Sequence, residues 1–255
     1  MTEAIFERAG DRFVPTQAAI GPWDPNALHG GPVAMLLARA LESVEGGEGM
    51  DVVRITVELL KPVTVTPLAI AGHVERPGRR VQLVGATVTS DGIELARARA
   101  LRVRRADLGV DTPAEPAPPG PEGIEAGNVF PDLHAYFTLG VELRAIFGDP
   151  FAPGPASMWV RLKLPVVAGE EPSPLQRVAA AADFGNGISS VLDWTKHVFI
   201  NPDLTIHLLR QPIGEWVAMD SRTEIGPGYG LAQSTLFDHR GEIGRSLQSL
   251  YVDNR

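Results

Sequence analysis

Val53, Ile55, Val57 and Leu59 alternate with Arg54, Thr56 and Glu58, the period of two that marks a half-buried strand. Ala96, Ala98 and Ala100 alternate with Arg97, Arg99 and Leu101, which predicts a second strand with a charged face. Further along, Phe137, Leu139, Val141 and Leu143 alternate, as do Met158, Val160, Leu162 and Leu164. Leu204, Ile206 and Leu208 repeat the pattern and put Thr205 and His207 on the other face. The helical period is rarer. Val33, Leu36, Leu37, Ala40, Leu41 and Val44 fall on one face of a helix, with Pro32 suited to its first turn and Gly46-Gly47 to its end. Phe184, Ile188, Val191 and Leu192 predict a matching helix in the second half. One apolar helix and a meander of strands, met twice, predicts an antiparallel sheet curled around a helix in each half.

The halves are divided by DLGVDTPAEPAPPGP at residues 107–121, too rich in proline for a helix or a central strand and therefore an extended connector. The predicted organisation is residues 1–106, a linker over 107–126, and residues 127–255. Repetition supports it. At a constant offset of 149, Thr56-Val57-Glu58-Leu59-Leu60-Lys61 lies over Thr205-Ile206-His207-Leu208-Leu209-Arg210, Glu75 over Glu224, Gly92 over Gly241, Leu101 over Leu250 and Val103 over Val252.

Composition narrows the function classes. The 255 residues suit one large domain or two of about half that size, and 44% hydrophobic with 21% charged residues is ordinary for a soluble globular protein. A net charge of −8 argues against a nucleic-acid partner. The sequence contains no cysteine, which excludes disulfides, cysteine–zinc sites, iron–sulfur clusters and thiol catalysis. No apolar run approaches the ~20 residues of a membrane span. Met1-Thr2-Glu3-Ala4 does not begin a signal peptide, so a cytoplasmic chain is expected.

His29-Gly30-Gly31-Pro32 stands before the first helix without the G-x-S-x-G of a serine hydrolase. The nearest candidate, Gly244-Arg245-Ser246-Leu247-Gln248, ends in Gln and lies in a predicted strand. Two readings of His29 and Gly30 remain: backbone amides at a helix N-terminus facing a developing negative charge, or a tight turn into the helix. Gly226-Pro227-Gly228-Tyr229-Gly230 has no Lys-Ser/Thr and opens no helix, so it reads as a turn rather than a phosphate loop. Histidines 29, 73, 134, 197, 207 and 239 show no metal-ligand spacing, and neither metal nor cofactor is expected. Arg76-Pro77-Gly78-Arg79-Arg80 is either a solvated hairpin end or an anchor for the phosphates of a long anionic substrate. The Asp183 carboxylate within AADFGNG (181–187) reads, on physics alone, as a group serving the helix dipole.

Five segments carry a family resemblance: GPWDPNALHGGPVAMLLARALE (21–42), VELLKPVTVTPLAIAGHVERPGRRVQLVGATV (57–88), AADFGNG (181–187), NPDLTIHLLRQPIGEWV (201–217) and GEIGRSLQSLYV (241–252). The chain resembles the TesB-like acyl-CoA thioesterases. That resemblance implies an α+β double hot-dog, two antiparallel sheets each wrapped around one long central helix. It also implies hydrolysis of an acyl-CoA thioester, with Asp183 as general base, Thr205 and Gln248 orienting the water, and a backbone amide near Gly185 or Asn186 facing the oxyanion. Arg76, Arg79 and Arg80 would then meet the coenzyme A phosphates, and a homodimer or larger assembly is expected. A hot-dog hydratase or dehydratase is the competing enzyme class. Asp193 and His197 are separated by three residues, which is not the Asp-x4-His spacing of that class. A non-catalytic acyl-CoA-binding protein is the third reading. Subtracting 149 from Asp183, Thr205 and Gln248 gives Ala34, Thr56 and Arg99, so a working site is expected in the second half alone.

Overall fold

The alternating segments become strands close to the predicted bounds in the computed structural model, which describes residues 3–110, 115–124, 136–149 and 152–255. A hairpin of β1 (Phe6–Ala9) and β2 (Arg12–Pro15) precedes α1 (Gly30–Ser43), followed by β3 (Met50–Leu59), β4 (Ala69–Arg76), β5 (Val81–Ser90) and β6 (Ile93–Arg104). The second half contains β7 (Val141–Phe147), β8 (Ala156–Leu162), α2 (Pro174–Ala182) and α3 (Gly185–Ile188). It continues with β9 (His197–Ile200), β10 (Asp203–Leu208), β11 (Trp216–Ile225), β12 (Tyr229–Asp238) and β13 (Gly241–Asn254). Phe137 and Leu139, expected in a strand, lie instead in a helical turn over Tyr136–Gly140, and β7 begins at Val141.

Apart from the β1–β2 hairpin, the strands of both halves form one sheet rather than the two expected. Its eleven strands run β4-β5-β6-β3-β10-β13-β12-β11-β8-β7, with β9 attached to β13. The halves meet where β3 pairs antiparallel with β10, Thr56 opposite Thr205 with their hydroxyls 3.3 Å apart. These residues are equivalent in the repeat, so a pseudo-twofold axis passes between them. The junction pairs two edge strands that separate sheets would leave open.

The offset of 149 fails beyond this seam. Thr56 faces Arg99 in the β3–β6 pair, whereas Thr205 faces Leu247 in the β10–β13 pair, and 247 − 99 = 148. The turn between β11 and β12 is one residue shorter than the Arg76–Arg80 turn between β4 and β5, which absorbs the difference. By the same register the counterpart of Gln248 is Ala100 and not Arg99. Arg99 faces outward and donates to Glu75 at 2.9 Å.

One of the two expected central helices is long. α1 buries most of its length against the sheet, and the buried Arg102 guanidinium closes its C-terminal end by donating to the carbonyls of Leu41, Glu42 and Val44. In the second half the helix begins earlier than Phe184 and is broken. Ser173 caps α2 by accepting from Gln176 N–H, Pro174 occupies its first position, and an alanine run carries it to Ala182. The chain turns at Asp183 and resumes as the single turn α3, since Gly185 and Gly187 lower helix propensity there. Val191 and Leu192 fall after it.

Residues 115–124 of the proline-rich connector run across the outer face of the sheet. Pro119 O accepts from Trp159 Nε1 at 2.7 Å, and Ile124 packs on a small outer cluster of Trp159, Trp216, Ala218 and Phe237. Residues 111–114 and 125–126 of the connector, and His134, lie outside the described residues. No described helix is long and apolar enough to cross a membrane.

Candidate active site

The break between α2 and α3 places Asp183 against the N-terminus of α1. Beside it opens a cavity of ≈ 400 Å³, walled by apolar side chains including Val33, Phe137, Phe184 and Phe199. Trp23 stacks on Trp194 at 4.8 Å in the same wall. Asp183 is 7% exposed. Its Oδ1 accepts from Asn201 Nδ2 at 2.9 Å and from Gln248 Nε2 at 3.3 Å. Its Oδ2 lies 2.9 Å from His29 Nδ1, which accepts from Gly31 N–H at 3.1 Å, so that amide also stands close to the carboxylate. Burial alone would raise the Asp183 pKa; the charge and hydrogen bond of His29, with the donors Asn201 and Gly31, outweigh it and hold the carboxyl below its ordinary value.

Gly30 makes this approach possible. A Cβ there would stand 2.8 Å from both carboxylate oxygens. Gln248, 1% exposed, braces the carboxylate from behind, donating to Asp183 O at 3.2 Å and accepting from Asn186 N–H at 2.9 Å. All its polar groups are engaged with protein, so it holds Asp183 rather than a water molecule. Gly185 gives it room, for a Cβ there would lie 2.9 Å from Gln248 Oε1. The Asn186 amide, expected near the oxyanion, is the one engaged by Gln248.

Thr205 is not brought to this site. It sits on the face of β10 away from the core, and its hydroxyl meets Thr56 across the seam. Asn201, four residues earlier, takes the place beside Asp183. Arg76, Arg79 and Arg80 are likewise elsewhere. Arg80 O accepts from Arg104 N, Arg104 pairs with Met50, and the cavity is lined by Leu59 at the other end of the same strand. Nine steps along β3 separate the two ends, about 30 Å at ~3.3 Å per residue. Within this chain the arginines form a solvated hairpin end.

Sequence reasoning missed Asn201 and Tyr136. The Asn-Pro pair after β9 marks a turn and nothing more, so no periodicity points to Asn201. Tyr136 stacks on Phe184 at 5.7 Å, and its buried hydroxyl has no hydrogen-bond partner among the described residues. Burial, and then the charge of Asp183, pushes its pKa well above the ordinary tyrosine value. Among the described residues no group of three His, Asp or Glu side chains is placed to hold a metal.

The profile of the acyl-CoA thioesterase N-terminal domain matches residues 19–103, and that of the acyl-CoA thioesterase C-terminal domain matches residues 110–252. The chain belongs to the acyl-CoA thioesterase family. By that membership it is a thioester hydrolase. Solved structures agree in fold. A hot-dog protein from Alicyclobacillus acidocaldarius superposes with a TM-score of 0.77 at 18% identity, covering 97% of this chain and 95% of that one. The TesB protein of Mycobacterium avium subsp. paratuberculosis gives 0.68 at 17% identity over 97% and 96% of the two chains. The acyl-CoA thioesterase II TesB2 of Mycobacterium marinum gives 0.67 at 15% identity over 98% and 96%. No curated protein sequence matches the thioesterase.

Proposed function

We propose that this thioesterase hydrolyses acyl-CoA to a free acid and coenzyme A in the cavity beside Asp183. One observation carries the reading: a buried, hydrogen-bonded carboxylate stands at the N-terminus of a 14-residue helix and faces an apolar cavity. The acyl chain occupies the apolar walls. The thioester carbonyl lies at the start of α1, where Gly30 N–H has no acceptor among the described residues and the helix dipole favours an oxyanion. Lys61, exposed and lining the cavity, attracts the coenzyme A phosphates in place of the arginine hairpin. The same reading takes residues 1–106 and 127–255 as two hot-dog units joined by 107–126, in a homodimer or larger assembly.

The test is thiol release from a panel of short- to long-chain acyl-CoAs, scored with a thiol reagent to which a protein without cysteine contributes nothing. Turnover on part of the panel is expected, with kcat of Asp183→Asn at least about 100-fold lower and its circular dichroism unchanged. Hydration of an enoyl-CoA with no thiol release overturns the reading, as does an Asp183→Asn variant that keeps half the wild-type rate.

A further inference from the structure

We propose that His29 Nε2, and not Asp183, takes the proton from the attacking water, while Asp183 fixes the imidazole in the tautomer that leaves this nitrogen free. The inference rests on the thioesterase reading above and assigns the proton transfer within it. A carboxylate offers about four lone-pair directions. At Asp183 three of these are met by Asn201 Nδ2, Gln248 Nε2 and His29 Nδ1. A water has one direction of the carboxylate left to it. Those same donors favour the ionised form, which makes the carboxylate a poorer base.

The tautomer of His29 follows from its neighbours. Nδ1 stands 2.9 Å from an ionised carboxylate oxygen and 3.1 Å from Gly31 N. With a bare Nδ1, two lone pairs would face each other across the shorter contact. With a proton on Nδ1 the ring donates to the charged carboxylate, a shorter and stronger bond than the one from Gly31 N–H that it displaces. The neutral ring must therefore carry its lone pair on Nε2. That atom has no partner among the described residues, and the side chain lines the cavity. Aromatic rings fix its plane: Tyr136 at 5.0 Å, Phe137 edge-on at 5.1 Å and Phe184 at 5.4 Å.

In the reaction a water O–H proton passes to His29 Nε2 as the water oxygen bonds to the thioester carbon. The carbonyl electron pair moves onto oxygen beside Gly30 N–H. That pair then returns, the carbon–sulfur bond breaks, and the thiolate takes the proton from the imidazolium. The products are a carboxylic acid and coenzyme A, with the imidazole restored. Asp183 stays ionised throughout and acts as a positioning residue.

Two measurements test this. In ¹⁵N-histidine-labelled protein, long-range ¹H–¹⁵N correlation is expected to show His29 in the Nδ1–H tautomer, and Asp183→Asn should lose that preference. In His29→Asn the amide nitrogen stands near the former Nδ1 and still donates to Asp183, but no group replaces Nε2. Its kcat should fall at least about 100-fold with KM within threefold of wild type. Imidazole in the buffer should restore part of the turnover of His29→Ala. An Nε2–H tautomer in an active wild-type enzyme overturns this proposal alone. So does a His29→Asn variant that keeps more than a tenth of the wild-type kcat. An Nδ1–H tautomer in a protein that releases no thiol from any acyl-CoA overturns the thioesterase reading and the proton transfer with it.

Discussion

Asp183 lies where three opposing influences meet: burial that disfavours its charge, donors that favour it, and the positive end of α1. The donors win, so its pKa in the folded protein lies below the ~3.9 of an unfolded chain. Stability from this group is therefore complete above the unfolded value and disappears as pH falls through the folded one. Asp183→Asn should be less stable than wild type by about 2 kcal/mol at pH 7, the worth of hydrogen bonds to a buried charge. The difference should be smaller at pH 3, on the acid side of the ordinary carboxylate value. Urea unfolding of both proteins at the two pH values measures it, and a gap that widens on acidification contradicts the assignment. Comparing the two proteins cancels the other stabilised carboxylates, among them Asp238 beside Arg210. At this scale His29 and Gly30 stood out in a local motif before the first helix, whereas Asp183 and Gln248 were legible as site residues only through the family resemblance. It misplaced the third partner because Thr205 and Asn201 are four residues apart in one segment. Alternation says which face a residue occupies, not what lies beyond the strand's end.

Among the elements, β13 depends on a single glycine. Gly244 has φ +155°, and a Cβ there would come 2.0 Å from His207 O in the adjoining strand β10. The bulge beside it lets β13 follow the curve of the sheet and carries Gln248 to Asp183. Gly244→Ala should cost about 3 kcal/mol or more, by backbone strain and displacement of β10. Gly187→Ala is the control, since its Cβ would meet nothing within 4 Å and its φ is ordinary. That change should leave stability the same or raise it by up to about 1 kcal/mol. Equal losses for both variants in urea titrations would contradict this account of β13. The broken second helix was hidden from sequence periodicity for a related reason. Phe184 and Ile188 do lie on an apolar face, but the alanine run before them has no polar alternation to reveal its phase.

Across the whole molecule, the pairing of β3 with β10 turns two sheets into one. Hydrophobic alternation defines strand faces and leaves neighbours undetermined, so the repeat was legible whereas the shared sheet was not. The two halves also share the contact between α1 and α2, where Glu42 at the end of α1 accepts from Ser173 at the start of α2, at 2.6 Å. Neither half has a closed edge at β3 or β10 without the other. Unfolding should therefore proceed as one cooperative transition, with calorimetric and van't Hoff enthalpies in agreement. Two resolved transitions would show that the seam is weaker than the cores it joins. The axis through Thr56 and Thr205 has one more consequence. In a symmetric pair of separate chains, every substitution is inherited by both partners at once. Here the two related halves are encoded separately, so Gln248 stands in one where Ala100 stands in the other. A change that would cripple a symmetric assembly twice over is confined to one half, and that independence lets each half take up its own task.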